Sequence, residues 1–287
     1  MLTSMSMSDI RLALCISDSH CGSTVGLAHP TESRNVDGNT IRLNPIQQWL
    51  WDCHVHMCNE WLPSIAGGDP FAVFYNGDAI DGYHHRTKQT WTTDDASMRD
   101  CFVACYRDLA DRASAWFATR GTECHTGESM ESEAAFYLGA ERHPETNTYA
   151  PDEWRVNMCG KIISIAHHTS ATSRPYLESG VGSREIATAA IAAVRSNQQP
   201  PDILVRAHGH TFTETHDATG MYIRLPPWQV KTRYAAKVVT NSITLPGAVL
   251  LDFRQCLPGE MPHVRKILYR PNATHVSSSV TAQETTK

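Results

Sequence analysis

Phe71-Ala72-Val73-Phe74-Tyr75-Asn76-Gly77-Asp78-Ala79-Ile80-Asp81-Gly82 decides how the rest of the chain is read. Five mostly apolar, β-prone residues run straight into Gly-Asp, which predicts a buried strand whose C-terminal end presents a carboxylate where the backbone must turn. One such turn is a weak signal. Four other strand-like runs also end in metal-ligand residue types. Residues 10–17 end in Asp18-Ser19-His20, and residues 116–120 in Gly121-Thr122-Glu123-Cys124-His125. Residues 161–166 end in His167-His168, and residues 203–207 in His208-Gly209-His210. Loops at the C-terminal ends of strands are where sites assemble on an α/β scaffold.

Local geometry narrows these runs. Residues two apart in an extended segment point to the same side, so Asp18 and His20 can reach one ion. Adjacent side chains diverge, so one of His167 and His168 faces inward. Gly209 lets the backbone approach closely while His208 and His210 project together. Taken singly, each pattern also has a bland explanation as a cap, a surface histidine or an incidental pair.

Outward from the motifs, Pro45 opens a helix-like run at residues 46–62, whose His54 and His56 read as packing or surface residues. Residues 98–114, 128–140 and 184–197 carry helical periodicity. In the first of these three, Cys101 and Cys105 share a face and read as core. Residues 21–44 and 169–182 read as long loops, and residues 145–154 as an irregular connector. Four late strand-like runs, residues 212–216, 221–225, 248–253 and 264–269, suggest that the chain finishes as a second sheet. Beside the central Gly-Asp, His84 and His85 belong to a polar cluster for which phosphate contact and a plain exposed loop are both open readings.

Composition sets the outer bounds. The 287 residues carry a formal net charge of −5, which argues against a broad nucleic-acid surface, although metals would add local positive charge. Nine cysteines occur without a CxxC pair, so neither a zinc ribbon nor a thioredoxin motif is present. No secretory signal is read at the N-terminus, and the expectation is reduced thiols in a cytoplasmic protein. No apolar run approaches the ~20 residues that span a bilayer, so no membrane partner is expected. Residues 1–9 read as a disordered lead-in, 10–270 as a single domain and 271–287 as a flexible tail.

The ordered set D-x-H, G-D-x-x-D, G-x-E-x-H, H-H, H-x-H resembles the calcineurin-like metallophosphoesterase superfamily, over roughly residues 10–253. The resemblance implies an α/β, four-layer αββα sandwich of two mixed sheets flanked by helices, with two divalent metal ions at the strand ends. Manganese is the first expectation, with iron, zinc or nickel as alternatives. Carried over by motif, Asp18, His20 and His210 bind the first ion, Asp78 bridges both, and His167 and His208 bind the second. The third motif departs from the family's Gly-Asn-His, because Thr122 stands where Asn is expected. A lengthened motif would make Glu123 the replacement ligand and His125 the catalytic residue, oriented by Asp81; a degenerate motif would leave the second ion weakly held.

Where the related protein phosphatases carry an Arg that grips phosphate, Gly82 stands here, which points to a phosphodiesterase. The implied reaction is attack on phosphorus by a hydroxide bridging the two metals, with His125 as general acid. A DNA- or RNA-directed nuclease is an alternative, as is a non-catalytic scaffold that binds a protein partner. Natural substrate and oligomeric state are not legible.

Overall fold

Leu12, Leu14 and Ile16 face one way along the first strand while Ala13 and Cys15 face the other, and all five are buried. A strand covered on both faces belongs in the middle of a layered molecule. The computed structural model describes residues 9–82, 89–126, 129–170, 177–238, 244–257 and 259–271. The expected disordered lead-in (apart from Asp9), all of the expected tail but Pro271, and both His84 and His85 lie outside the described residues.

The chain opens with β1 (Leu12–Ile16), α1 (Pro45–His56), a π-helical turn (Met57–Trp61), α2 (Leu62–Ala66) and β2 (Phe71–Asn76). There follow α3 (Asp95–Arg112), β3 (Ala115–Thr119), the one-turn α4 (Glu123–Thr126), α5 (Met130–Tyr137), β4 (Glu153–Met158) and β5 (Lys161–Ala166). It continues through α6 (Glu178–Arg195), β6 (Ile203–Arg206), β7 (Thr213–His216), β8 (Met221–Arg224), α7 (Arg233–Val238), β9 (Gly247–Asp252) and β10 (His263–Leu268). Asn44 caps α1 in a reciprocal capping box with Gln47, with Pro45 at the first helical position, and Asp94 caps α3 through Ser97 N. Both helices therefore start where a side-chain oxygen answers the exposed N–H groups.

Two five-stranded mixed sheets result, ordered β10-β9-β1-β2-β3 and β4-β5-β6-β8-β7. Alternate residues of β1 and β2 sort into two cores. Leu12, Leu14, Val73 and Tyr75 join the helical layer with Leu50, Phe102 and Leu109. Ala13, Cys15, Ala72 and Phe74 meet Ile163, Ile165, Val205 and Ile223 of the second sheet. On that sheet's far side Leu204 and Tyr222 pack under Ile186 of α6. Helices, sheet, sheet and helix make the four layers that the resemblance implies.

Two expectations are corrected. The late strands do not form a sheet of their own: β7 and β8 complete the second sheet, whereas β9 returns to pair antiparallel with β1, and β10 pairs with β9. All six residues of β9 are buried, so its place is between other strands, with Ala248 and Leu250 in one core and Val249 and Leu251 in the other. The irregular connector, in turn, ends in β4, in which Trp154, Val156 and Met158 are buried and their neighbours exposed. Cys159 and Gly160, both with positive φ, turn β4 into β5 as a two-residue hairpin requires.

Candidate metal centre

Strands β1, β2 and β3 run parallel, as do β5 and β6, so the C-terminal ends within each parallel set open on one edge. Asn76, the last residue of β2, joins the two sheets at that edge. Its Nδ2 donates to Ala166 O at 3.1 Å and Val205 O at 3.3 Å, and its Oδ1 accepts from Thr119 Oγ1 at 2.6 Å. One buried amide thus ties together the ends of β2, β3, β5 and β6, from which four of the five motif loops leave; the fifth leaves the adjacent β1.

The backbone at these loop residues is unusual. Of the eight non-glycine residues with positive φ among the described residues, five are Asp18, His20, Asp78, His208 and His210. Left-handed backbone costs an L-residue roughly 1–2 kcal/mol, and such conformations concentrate at functional sites. Here each one turns the chain off a strand end. Asp18 N donates to Gly77 O and His20 N to Asp78 O, both at 3.0 Å, which locks the first two loops side by side. Gly121 is required by close approach, since a Cβ there would collide with Asp78 N and Oδ1.

The side chains converge on two buried carboxylates. On one side, His210 Nε2 stands 3.2 Å from Asp18 Oδ1, and His20 Nε2 lies 3.2 Å from His210 Nε2 and 3.6 Å from Asp78 Oδ2. On the other, His167 Nε2 is 3.1 Å from Asp78 Oδ2 and 4.0 Å from Asp18 Oδ1. His208 approaches through Thr122, whose Oγ1 is 3.2 Å from His208 Nδ1 and 3.3 Å from Asp78 Oδ2. His167 is the inward member of its pair: its Nδ1 donates to Asn76 O at 2.7 Å, while His168 is exposed against the His167 and His208 rings.

Charge is concentrated accordingly. Burial alone would raise the carboxyl of Asp18, but His210 and His167 outweigh it and hold it below the ordinary value. Asp78 is likewise held well below, by His167 and His20 against the effect of burial. Burial disfavours the charged form of His167, yet Asp78 and Asp18 lift it to about 10. Both oxygens of Asp18 are buried without a hydrogen-bond partner of acceptable geometry among the described residues. Such acceptors are costly unless a cation answers them. Mixed carboxylate and imidazole donors suit Mn, Fe, Zn or Ni, so this set fits divalent ions. Four groups of imidazole and carboxylate donors converge among the described residues: Asp18 with His20 and His210, Asp18 with Asp78 and His167, His20 with Asp81 and His125, and His167 with His168 and His208.

Glu123 is not brought to the centre. It is exposed on α4 and belongs to none of the groups of converging donors, while Thr122 stands between Asp78, His167 and His208. The cause is a contact with the neighbouring strand end: Thr122 N donates to Asp78 Oδ1 at 2.6 Å, which turns the Thr122 side chain inward, and the helical turn that follows carries Glu123 outward. His125 comes back on the same turn. Its ring centroid lies 4.8 Å from that of His20, and its Nδ1 donates to the backbone oxygen of Asp81 at 2.8 Å. The carboxylate of Asp81 instead takes His20, Nδ1 to Oδ1 at 3.0 Å. Asp81 therefore orients two histidines, one through each kind of oxygen.

Glu131 was not legible as part of the site. Buried on α5, it accepts Ala79 N at 2.8 Å and also Gly121 N, bracing the second and third loops from behind. Burial and Asp78 push its carboxyl up to about 7. Only an acid at helical spacing from Ala134 and Ala135 would have hinted at it.

No family model and no curated protein matches this chain. Solved structures similar to it include Vps29 of Chaetomium thermophilum, at 14% identity over 91% of this chain and 98% of that one with a TM-score of 0.41. An archaeal phosphodiesterase is similar at 11% identity over 90% and 99%, TM-score 0.43. A predicted phosphoesterase of Streptococcus pneumoniae is similar at 8% identity over 90% and 98%, TM-score 0.38. Likeness at this level says nothing of what this chain does. No helix among the described residues is long and apolar enough to cross a membrane.

Proposed function

We propose that the chain is a metal-dependent phosphoesterase acting on phosphodiesters, with two divalent ions, manganese first among them. The observation that carries this reading is the convergence of Asp18, His20, Asp78, His167 and His210 on shared carboxylates, with His125 beside them, its Nδ1 on the Asp81 carbonyl and its ring against that of His20. Ions held there would supply Lewis acidity toward phosphoryl oxygens and water at neutral pH.

The chain's own residues account for the rest. Asp78 lies between His20 and His167 and holds the two halves together. His125, fixed through Nδ1 on the Asp81 carbonyl, has Nε2 as the atom that would pass a proton to the leaving oxygen. Gly82 contributes no cationic side chain to grip a terminal phosphate dianion, which favours a diester. Nucleic acid is one such diester, though a net charge of −5 offers it no broad basic surface. A second reading, a scaffold that binds a protein partner, draws support from Thr122, because a hydroxyl is a poorer ligand than the amide expected there.

The test is hydrolysis of bis-p-nitrophenyl phosphate and p-nitrophenyl phosphate by metal-free protein reloaded with Mn²⁺, with Asp78→Asn alongside. Diester turnover that vanishes in the variant is the expected result. No turnover of either ester, with fewer than two ions retained per chain, would favour the scaffold.

A further inference from the structure

Cys21, Cys101 and Cys105 bring three sulfur atoms within 4.8 Å of one another, and all three are buried. Cys21 directly follows His20, whereas Cys101 and Cys105 are one turn apart on α3 and share a face. All nine cysteines are free. Buried thiols often serve only as small apolar side chains, but two observations go further. Cys101 Sγ accepts the N–H of His29 at 3.4 Å and hydrogen-bonds the Ser33 hydroxyl at 3.2 Å, so two polar groups of one loop converge on a single sulfur. Hydrogen bonds of this kind favour a thiolate. Met98, one turn before Cys101, is also fully buried, and its thioether packs on Gly22, the residue after Cys21. A fourth sulfur thus borders the same corner of the core.

We propose that Cys21, Cys101 and Cys105 form a second metal site, for a soft monovalent ion of the copper(I) class. Thiolate and thioether donors select soft ions. Zinc in a closed structural site takes four ligands, whereas this group among the described residues has three thiols, the number a trigonal copper(I) ion uses. One thiol, that of Cys101 with its two hydrogen-bond partners, gives up its proton to solvent on binding, and the ion's single positive charge offsets that one thiolate while the other two sulfurs ligate as thiols. The site is distinct from the imidazole and carboxylate centre but backs onto it: Cys21 N donates to Ala79 O at 3.0 Å and Asp81 N to Cys21 O at 2.9 Å.

The experiment uses the full chain with its imidazole and carboxylate donors first loaded with Mn²⁺. It is titrated anaerobically with Cu(I) against a chromophoric Cu(I) chelator, and X-ray absorption of the retained copper counts its donors. One copper per chain with three sulfur donors is expected, lost in the double variant Cys101→Ser, Cys105→Ser and kept in Cys124→Ser, which changes an exposed cysteine. No retained copper, equal retention by the double variant, or a spectrum dominated by nitrogen donors would overturn the site. Circular dichroism checks that the double variant folds, and the donor count in the unaltered chain stands without it.

Discussion

The two halves of the centre share carboxylates but differ in what stands behind their histidines. In the first half, Nδ1 of His20 meets the Asp81 carboxylate at 3.0 Å, with Gln229 Nε2 3.4 Å from the same oxygen. In the second, Nδ1 of His167 meets a neutral backbone oxygen, that of Asn76, at 2.7 Å. A carboxylate behind a ligating imidazole raises its basicity and fixes its tautomer more firmly than a carbonyl does. The first half is further completed by His210 and Asp18, whereas the second is completed by His208 and the hydroxyl of Thr122. If two ions bind as proposed, the first position would be the stronger and the second the weaker, through differences in the row of groups behind the candidate ligands.

The largest expected effect tests whether His125 stands apart from both halves. His125→Ala should lower the diester rate by about 10²–10⁴-fold while metal content, measured by elemental analysis, stays unchanged. Loss of an ion in that variant would make His125 a ligand.

Asp81→Asn strikes the first half alone. Removing a partner of this kind costs roughly 10–100-fold in metal affinity, so a stepwise Mn²⁺ titration should show the tighter step weakened and the weaker one unmoved. Equal weakening of both steps would erase the distinction between the halves.

Thr122→Asn should sharpen the comparison from the other side, tightening the weaker step by roughly tenfold because an amide oxygen is a better ligand than a hydroxyl. Glu123→Gln, made in parallel, should leave both steps where they were. A shift with Glu123→Gln and none with Thr122→Asn would restore Glu123 as the ligand.

The smallest effect concerns the metal-free chain. The folded value of His167 lies well above its ordinary 6.5, at about 10, so its proton stabilises the fold. That contribution is complete below 6.5 and is lost as pH rises through about 10, when the ring becomes neutral between Asp78 and Asp18. Thermal melts of metal-free protein should therefore fall in Tm across this window, while the Mn²⁺-loaded protein, whose ions replace the proton, should stay flat. A flat metal-free profile would remove His167 from between the carboxylates.

Much of this is legible because each candidate ligand lies within four residues of a strand end. The positions of Asp18, Asp78 and His210 at strand ends are local features, while their reading as candidate ligands comes from the motif order and the resemblance it carries. Strand β4 is also written in the sequence, as the alternation Trp154, Val156, Met158, although Pro151 and its polar surroundings carry the signature of a connector. Glu131 was hidden, since an acid on an amphipathic helix looks solvated until two loop N–H groups are found pointing at it. The destination of β9 was hidden as well. An all-apolar strand declares that it is buried, without declaring which neighbour it pairs with, and that choice depends on hydrogen bonds to β1, more than two hundred residues earlier by about the chain's own numbering.

What the amino-acid sequence determined by itself was the order of carboxylates and imidazoles at strand ends, because strand periodicity and turn residues are local properties. What only the tertiary structure decided was which neighbour faces inward: Thr122 over Glu123, His167 over His168. Those choices hang on single long-range hydrogen bonds, Thr122 N to Asp78 and His167 Nδ1 to Asn76 O, and no local pattern encodes a partner that distant.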